Sequence, residues 1–141
     1  MKHFIAILFL FVMSAVTAQN SIIGKWKTID DETGKPKSVV EIYEKSGKIF
    51  GKIIEIFEAE NRNRVCEDCT GADKNAPILG MVIIRGLSKD GKEYSGGKII
   101  DPKNGKTYKC LLSLESKDKL KVRGYIGFAL IGRSQYWVRV K

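Results

Sequence analysis

Between residues 107 and 126 the chain alternates apolar and polar side chains with a period of two, interrupted by a turn at residues 116–118. Tyr108, Cys110, Leu112 and Leu114 share one face, and Thr107, Lys109, Ser113 and Glu115 the other. Past the turn, Leu120, Val122, Gly124 and Ile126 continue the inward face, and Lys119, Lys121, Arg123 and Tyr125 the outward one. A period of two with one apolar face specifies antiparallel strands that cover a core on one side only. The rest of the mature chain has the same rhythm. Strand-like runs occupy residues 21–28, with Ile22, Gly24 and Trp26 on one side, then 39–44 and 48–57, joined at Ser46-Gly47. Further runs follow at 78–87 and 92–100, joined at Asp90-Gly91, the strongest hairpin signal present, and a last one spans 133–141. Gly96-Gly97 interrupts one run and predicts a bulge or sharp bend. The longest loop is the polar stretch 61–77. The expected architecture is all-β: a small antiparallel up-and-down barrel of about eight to ten strands. A two-sheet sandwich shares this periodicity.

The N-terminus belongs to a different kind of segment. Lys2, an unbroken apolar run over residues 4–13 and Val16-Thr17-Ala18 fit a secretory signal peptide cleaved after residue 18. Removing 18 of the 141 residues leaves 123, the length of one domain, here 19–141. The cut takes one lysine from a formal charge of +9, leaving +8, and removes His3, the single histidine. Histidine-based nucleophilic catalysis, histidine-ligated zinc and histidine-ligated haem are thereby excluded from the mature chain. No second apolar stretch approaches the ~20 residues of a membrane-spanning helix, and no cysteine follows Ala18 to carry a lipid anchor. The expected product is exported, periplasmic or extracellular, without a membrane span, and monomeric.

Three cysteines remain, and Cys66-Glu67-Asp68-Cys69 pairs two of them. The two acids between the sulfurs oppose thiolate formation, which disfavours a redox role. Three sulfurs without a histidine fall short of a zinc site. Export into an oxidising compartment favours a Cys66–Cys69 disulfide, with Cys110 a buried free thiol. A bridge from Cys110 to Cys66 or Cys69 is the other pairing the count allows. Gly105-Lys106-Thr107 is not a phosphate-binding loop: position 100 is Ile100 where that motif needs glycine, and an alternating strand follows where it needs a helix.

Lys117, Lys119, Lys121 and Arg123 alternate onto one outward face, with Lys109 adjacent across the hairpin. Such a stripe is either a solvated strand face or an attractor for an anionic envelope component. Nothing in it marks nucleic-acid binding. On the last run, Arg133, Gln135, Trp137 and Arg139 share one parity, and Tyr136, Val138 and Val140 the other. Hydrophobicity favours the valine face as inward. An inward arginine would need a carboxylate or an anionic ligand, and Asp101 and Glu55 are candidate partners. An enzyme reading through carboxylates alone would need a pair such as Asp101 with Glu55 or Asp73, and nothing in the sequence fixes their separation.

Gly24-Lys25-Trp26 resembles the Gly-x-Trp opening of lipocalins and related calycin barrels. Gly80-Met81 with Ile83, Gly96-Gly97-Lys98-Ile99-Ile100-Asp101-Pro102, Asn104-Gly105-Lys106-Thr107-Tyr108, Val122-Arg123-Gly124-Tyr125-Ile126-Gly127 and Gly132-Arg133-Ser134-Gln135-Tyr136-Trp137 follow in order. Together they resemble a bacterial exported family known as domain of unknown function 2147, over nearly the whole mature chain. The resemblance implies a calycin-like barrel and no established activity. It implies that Trp26 plugs the closed end, beside Gly24, under an arginine of the last strand, Arg133 or Arg139. It also raises the inward reading of Arg133, Gln135 and Trp137. With Tyr108, these are the candidate ligand-binding residues. The expected function is non-enzymatic binding of a small amphipathic or anionic ligand, without cofactor or metal. The other reading is an envelope interaction protein with a packed barrel and a basic outer face.

Overall fold

The computed structural model describes residues 21–127 and 131–141. The expected signal peptide and its cleavage site lie outside these residues. Eight antiparallel strands close into a barrel, each bonded to its sequence neighbours and the last to the first. They are β1 (Gly24–Ile29), β2 (Pro36–Lys45), β3 (Lys48–Ile56), β4 (Val82–Asp90), β5 (Glu93–Asp101), β6 (Lys106–Ser116), β7 (Lys119–Tyr125) and β8 (Gly132–Arg139). Closure leaves no free sheet edge, and it selects the barrel over the sandwich. No helix among the described residues is long and apolar enough to cross a membrane.

Register decides which face is interior. Opposed residues in an antiparallel pair point the same way, so the pairs Trp26–Val40, Leu112–Val122 and Leu120–Trp137 fill the inside. Trp26, Val40, Ile42, Ile84, Leu87, Cys110, Leu112 and Leu120 are completely buried. The expected Gly96-Gly97 irregularity is present as a register shift between Tyr94 and Gly97 against β6.

Strand direction defines two ends. The connections β1–β2, β3–β4, β5–β6 and β7–β8 gather at one end, and the three hairpin turns β2–β3, β4–β5 and β6–β7 at the other, closed end. The β3–β4 connection is longer than expected, because residues 78–81 belong to it and β4 begins at Val82. It contains two short 3-10 turns, Ala59–Asn61 and Gly71–Asp73. Ile84 and Ile99 pair on the inward face, so Ile83 and Ile100 point outward, yet both are buried. They belong to the same hydrophobic cluster as the buried Cys66 and Cys69 of the β3–β4 segment. Asp73 pairs with Arg85 of β4 at 2.9 Å. Gly105 lies so close to this segment that a Cβ there would sit 2.0 Å from the Asp68 carbonyl oxygen.

Three sequence expectations are overturned. Ile126 is 65% exposed rather than inward. β7 ends at Tyr125, and the chain turns there, with the Ile126 N–H donating to the Ile131 carbonyl. On β8 the valine face is not inward: Tyr136 and Val138 are each 42% exposed, while Trp137 is 2% exposed. The register against β7 imposes this, because Leu120 opposes Trp137 and Val122 opposes Gln135. Lys117 also falls in the β6–β7 turn, outside the outward stripe of β7.

Candidate functional site

At the open end, the inward faces of β5 to β8 reach solvent. Arg133 opposes Gly124, and Gly124 opposes Cys110. Tyr108 and Ile99 line the same inner wall, both half-buried. A Cβ at Gly124 would stand 3.5 Å from the Tyr108 Cβ and 3.7 Å from the Ile99 Cγ2. A side chain at Gly124 would therefore pack directly on Tyr108 and Ile99, and the glycine leaves the wall between them and Arg133 one side chain thinner. Further along β8 toward the closed end Trp137 is buried opposite Leu120, and its Nε1–H donates to Gln135 Oε1 at 3.4 Å.

The arginine's partner is neither Asp101 nor Glu55 but Asp31, on the connection between β1 and β2. Asp101 Oδ1 instead accepts from the Lys103 N–H at 2.9 Å in its own turn. Glu55 is exposed on β3. Arg133 forms an ion pair with Asp31 Oδ2, and Gln135 Nε2 donates to the same oxygen at 3.2 Å. Asp31 is held by its neighbour: Asp30 Oδ1 accepts from the N–H groups of Glu32 (2.8 Å) and Thr33 (2.9 Å). Those backbone donors hold the Asp30 carboxyl below its ordinary pKa, since they bond the ionised form. The Gly34 N–H to Asp30 carbonyl and Asp30 N–H to Lys35 carbonyl bonds close the turn. Asp31 was not singled out from the sequence. The signal that finds it is topological: in a closed barrel, the β1–β2 and β7–β8 connections share one rim.

The opposite end is sealed. Trp26 is fully buried, and its Nε1–H donates to the Ile22 carbonyl at 2.9 Å. Arg139, not Arg133, covers the indole, at 4.3 Å from the ring centroid. Gly24 has φ +135, and a Cβ there would stand 3.1 Å from the Arg139 Nη1. Glycine at this position admits both the backbone and the guanidinium.

The sulfurs form a Cys66–Cys69 disulfide with Cα atoms 5.3 Å apart. Cys110 is a free thiol inside the barrel, and burial pushes its pKa up to about 12. It is protonated and unreactive at neutral pH. Asp73, the alternative partner of Asp101 in the carboxylate reading, is engaged by Arg85 on the outer wall. Among the described residues, no three His, Cys, Asp or Glu side chains assemble into a metal-binding group. Two shallow hollows of about 330 and 310 Å³ lie on the outer wall around Val82 and Arg85, away from the candidate ligand residues.

A closed eight-stranded barrel with its Trp plug and open rim is lipocalin-like in architecture. The protein HP1028 from the human pathogen Helicobacter pylori, described as belonging to the lipocalin family, has the same fold. The match has a TM-score of 0.75 and 22% identity, covering 86% of this chain and 84% of that one. Residues 24–139 match the family described as uncharacterized protein conserved in bacteria (DUF2147), and the chain belongs to that family. No curated protein matches it.

Proposed function

We propose that this chain is an exported, non-catalytic binder of a small amphipathic carboxylate. The ligand's head group is held by Arg133 and Gln135, and its apolar part rests on Ile99 and Tyr108. One observation carries the reading: Arg133 and Gln135 already converge on a carboxylate oxygen, that of Asp31. Asp31 occupies the place that a ligand's carboxylate would take, on a pair of groups matched to that chemistry. The arrangement is exposed, with side-chain exposures of 70% for Arg133 and 41% for Asp31, so an exchange of carboxylates needs no opening of the core. The disulfide fits an oxidising compartment. Side chains fill the closed half of the barrel, which limits the ligand to a short one.

Calorimetric titration of residues 19–141 with octanoate, octanol and octylamine tests the reading. Octanoate is expected to bind and the other two to fail. Arg133→Met should weaken octanoate about tenfold or more, the scale of a lost charge-assisted hydrogen bond. Asp31→Asn should strengthen it by removing the internal competitor. Equal binding of octanol, or octanoate binding indifferent to Arg133→Met, overturns the proposal.

A further inference from the structure

The outer wall is chemically lopsided. On the adjoining strands β6, β7, β8 and β1, the outward positions carry Lys25, Lys27, Lys109, Lys119, Lys121 and Arg123, against the single acid Glu115 among the described residues. The same wall holds exposed apolar side chains. Tyr136 and Val138 stand between the lysines of β7 and β1, and Lys119 Nζ lies 4.6 Å from the Tyr136 ring centroid. At the rim above them, Ile126 and Ile131 are 65% and 67% exposed, the most exposed of the large apolar side chains among the described residues. The hydrogen bond from the Ile126 N–H to the Ile131 carbonyl holds the two together.

We propose that this wall, with its isoleucine rim, docks on the surface of an anionic lipid bilayer. Cations on a strand face alone would suit any polyanion, and exposed isoleucines alone would suit any apolar surface. Their coincidence selects a partner with negative charge outside and hydrocarbon just beneath. Tyr136 suits the headgroup level, where amphipathic rings concentrate. A second copy of the chain is a poor occupant, because docking the wall on itself would bring six cations against six. This docking is independent of any ligand in the barrel, since it uses only outward side chains and the rim.

Co-sedimentation of residues 19–141 with phosphatidylcholine vesicles, and with vesicles of phosphatidylglycerol and phosphatidylcholine in equal parts, tests it, with dextran sulfate as a soluble polyanion. Binding is expected only to the anionic vesicles, and it should disappear in high salt as the charges are screened. The double change Lys119→Glu with Lys121→Glu should weaken vesicle binding about tenfold or more, from the share of each surface cation in such attraction. Ile126→Ser with Ile131→Ser should weaken vesicle binding comparably and leave dextran sulfate binding unchanged. Lys45→Glu with Lys48→Glu makes the same change in net charge at the β2–β3 turn and should leave vesicle binding within about twofold of wild type. No preference for anionic vesicles overturns the proposal. So does an equal loss in the Lys45 and Lys48 variant, which would reduce the effect to net charge. Vesicle binding indifferent to the isoleucines overturns it in favour of an acidic polymer. Thermal melts of each variant confirm that the barrel remains folded.

Discussion

The guanidinium of Arg139 lies over the Trp26 indole with 4.3 Å between its central carbon and the ring centroid. Trp26 belongs to the first strand and Arg139 to the end of the last, and the two are directly opposed in register. The arginine also donates to three backbone carbonyls: Ser21 at 2.6 Å, Ile23 at 3.2 Å and Lys117 at 2.9 Å. One side chain thus ties the segment before β1, the β6–β7 turn and the closing strand to the buried indole. The β1–β8 seam is the shortest ladder in the barrel, with the two register pairs Trp26–Arg139 and Lys27–Val138. The side-chain contact compensates for what the backbone lacks there.

This arrangement sets the order of two stability losses. Trp26→Ala removes a fully buried aromatic and should cost about 3–5 kcal/mol from lost burial plus the cavity. Arg139→Met keeps much of the aliphatic packing while removing the cation–π contact and the carbonyl bonds, for a smaller loss of about 1–3 kcal/mol. Arg133→Met, at the other end of the barrel, should change stability little. Urea midpoints for the three variants check the order, and a Trp26→Ala barrel as stable as wild type would contradict it.

Cys110 gives the barrel a specific alkaline weakness. Burial raises its pKa in the folded chain from 9.0 to about 12. Below pH 9 the thiol is protonated in both folded and unfolded states, and the shift has no effect on stability. Between pH 9 and 12 the unfolded chain releases this proton and the folded chain keeps it, so stability falls as pH rises. Lysines and tyrosines titrate in the same range, so the measurement is a difference. The stability gap between wild type and Cys110→Ala should shift against wild type from pH 9 to 12. At pH 8 an aromatic disulfide reagent should leave the native protein unmodified and detect one thiol per chain after denaturation.

The barrel was legible because alternation on β6 and β7 is unambiguous and turn residues mark most hairpins. β8 was not, because its two parities compete. Trp137 with two arginines and a glutamine opposes two valines and a tyrosine, and summed hydrophobicity points the wrong way. Only the register against Leu120 and Val122 decides, and register is a property of the sheet rather than of the strand. Asp31 was missed for a related reason. It lies 102 positions from Arg133 in the chain, and nothing local to either residue signals the pair that the shared rim creates. The Cys66–Cys69 clip was readable from spacing and compartment, whereas its burial required the path of the whole β3–β4 segment.

Gly124 separates the mouth of the barrel from its stability. Its backbone is ordinary strand, and an added Cβ would meet Tyr108 and Ile99 only at van der Waals distance, 3.5 and 3.7 Å. Gly124→Ala should therefore fold normally and gain up to about 1 kcal/mol, because alanine restricts the unfolded chain more than glycine does. Gly124→Phe places a ring against Tyr108 and Ile99, on the wall that the proposed ligand would use. At this solvent-facing rim it should still yield a folded barrel by circular dichroism, with octanoate binding abolished in calorimetry. Gly124→Ala adds a single methyl group and should weaken octanoate only a fewfold. A Gly124→Phe barrel that binds octanoate as wild type does would place the ligand elsewhere, and the wall formed by Arg133, Tyr108 and Ile99 would not be its site.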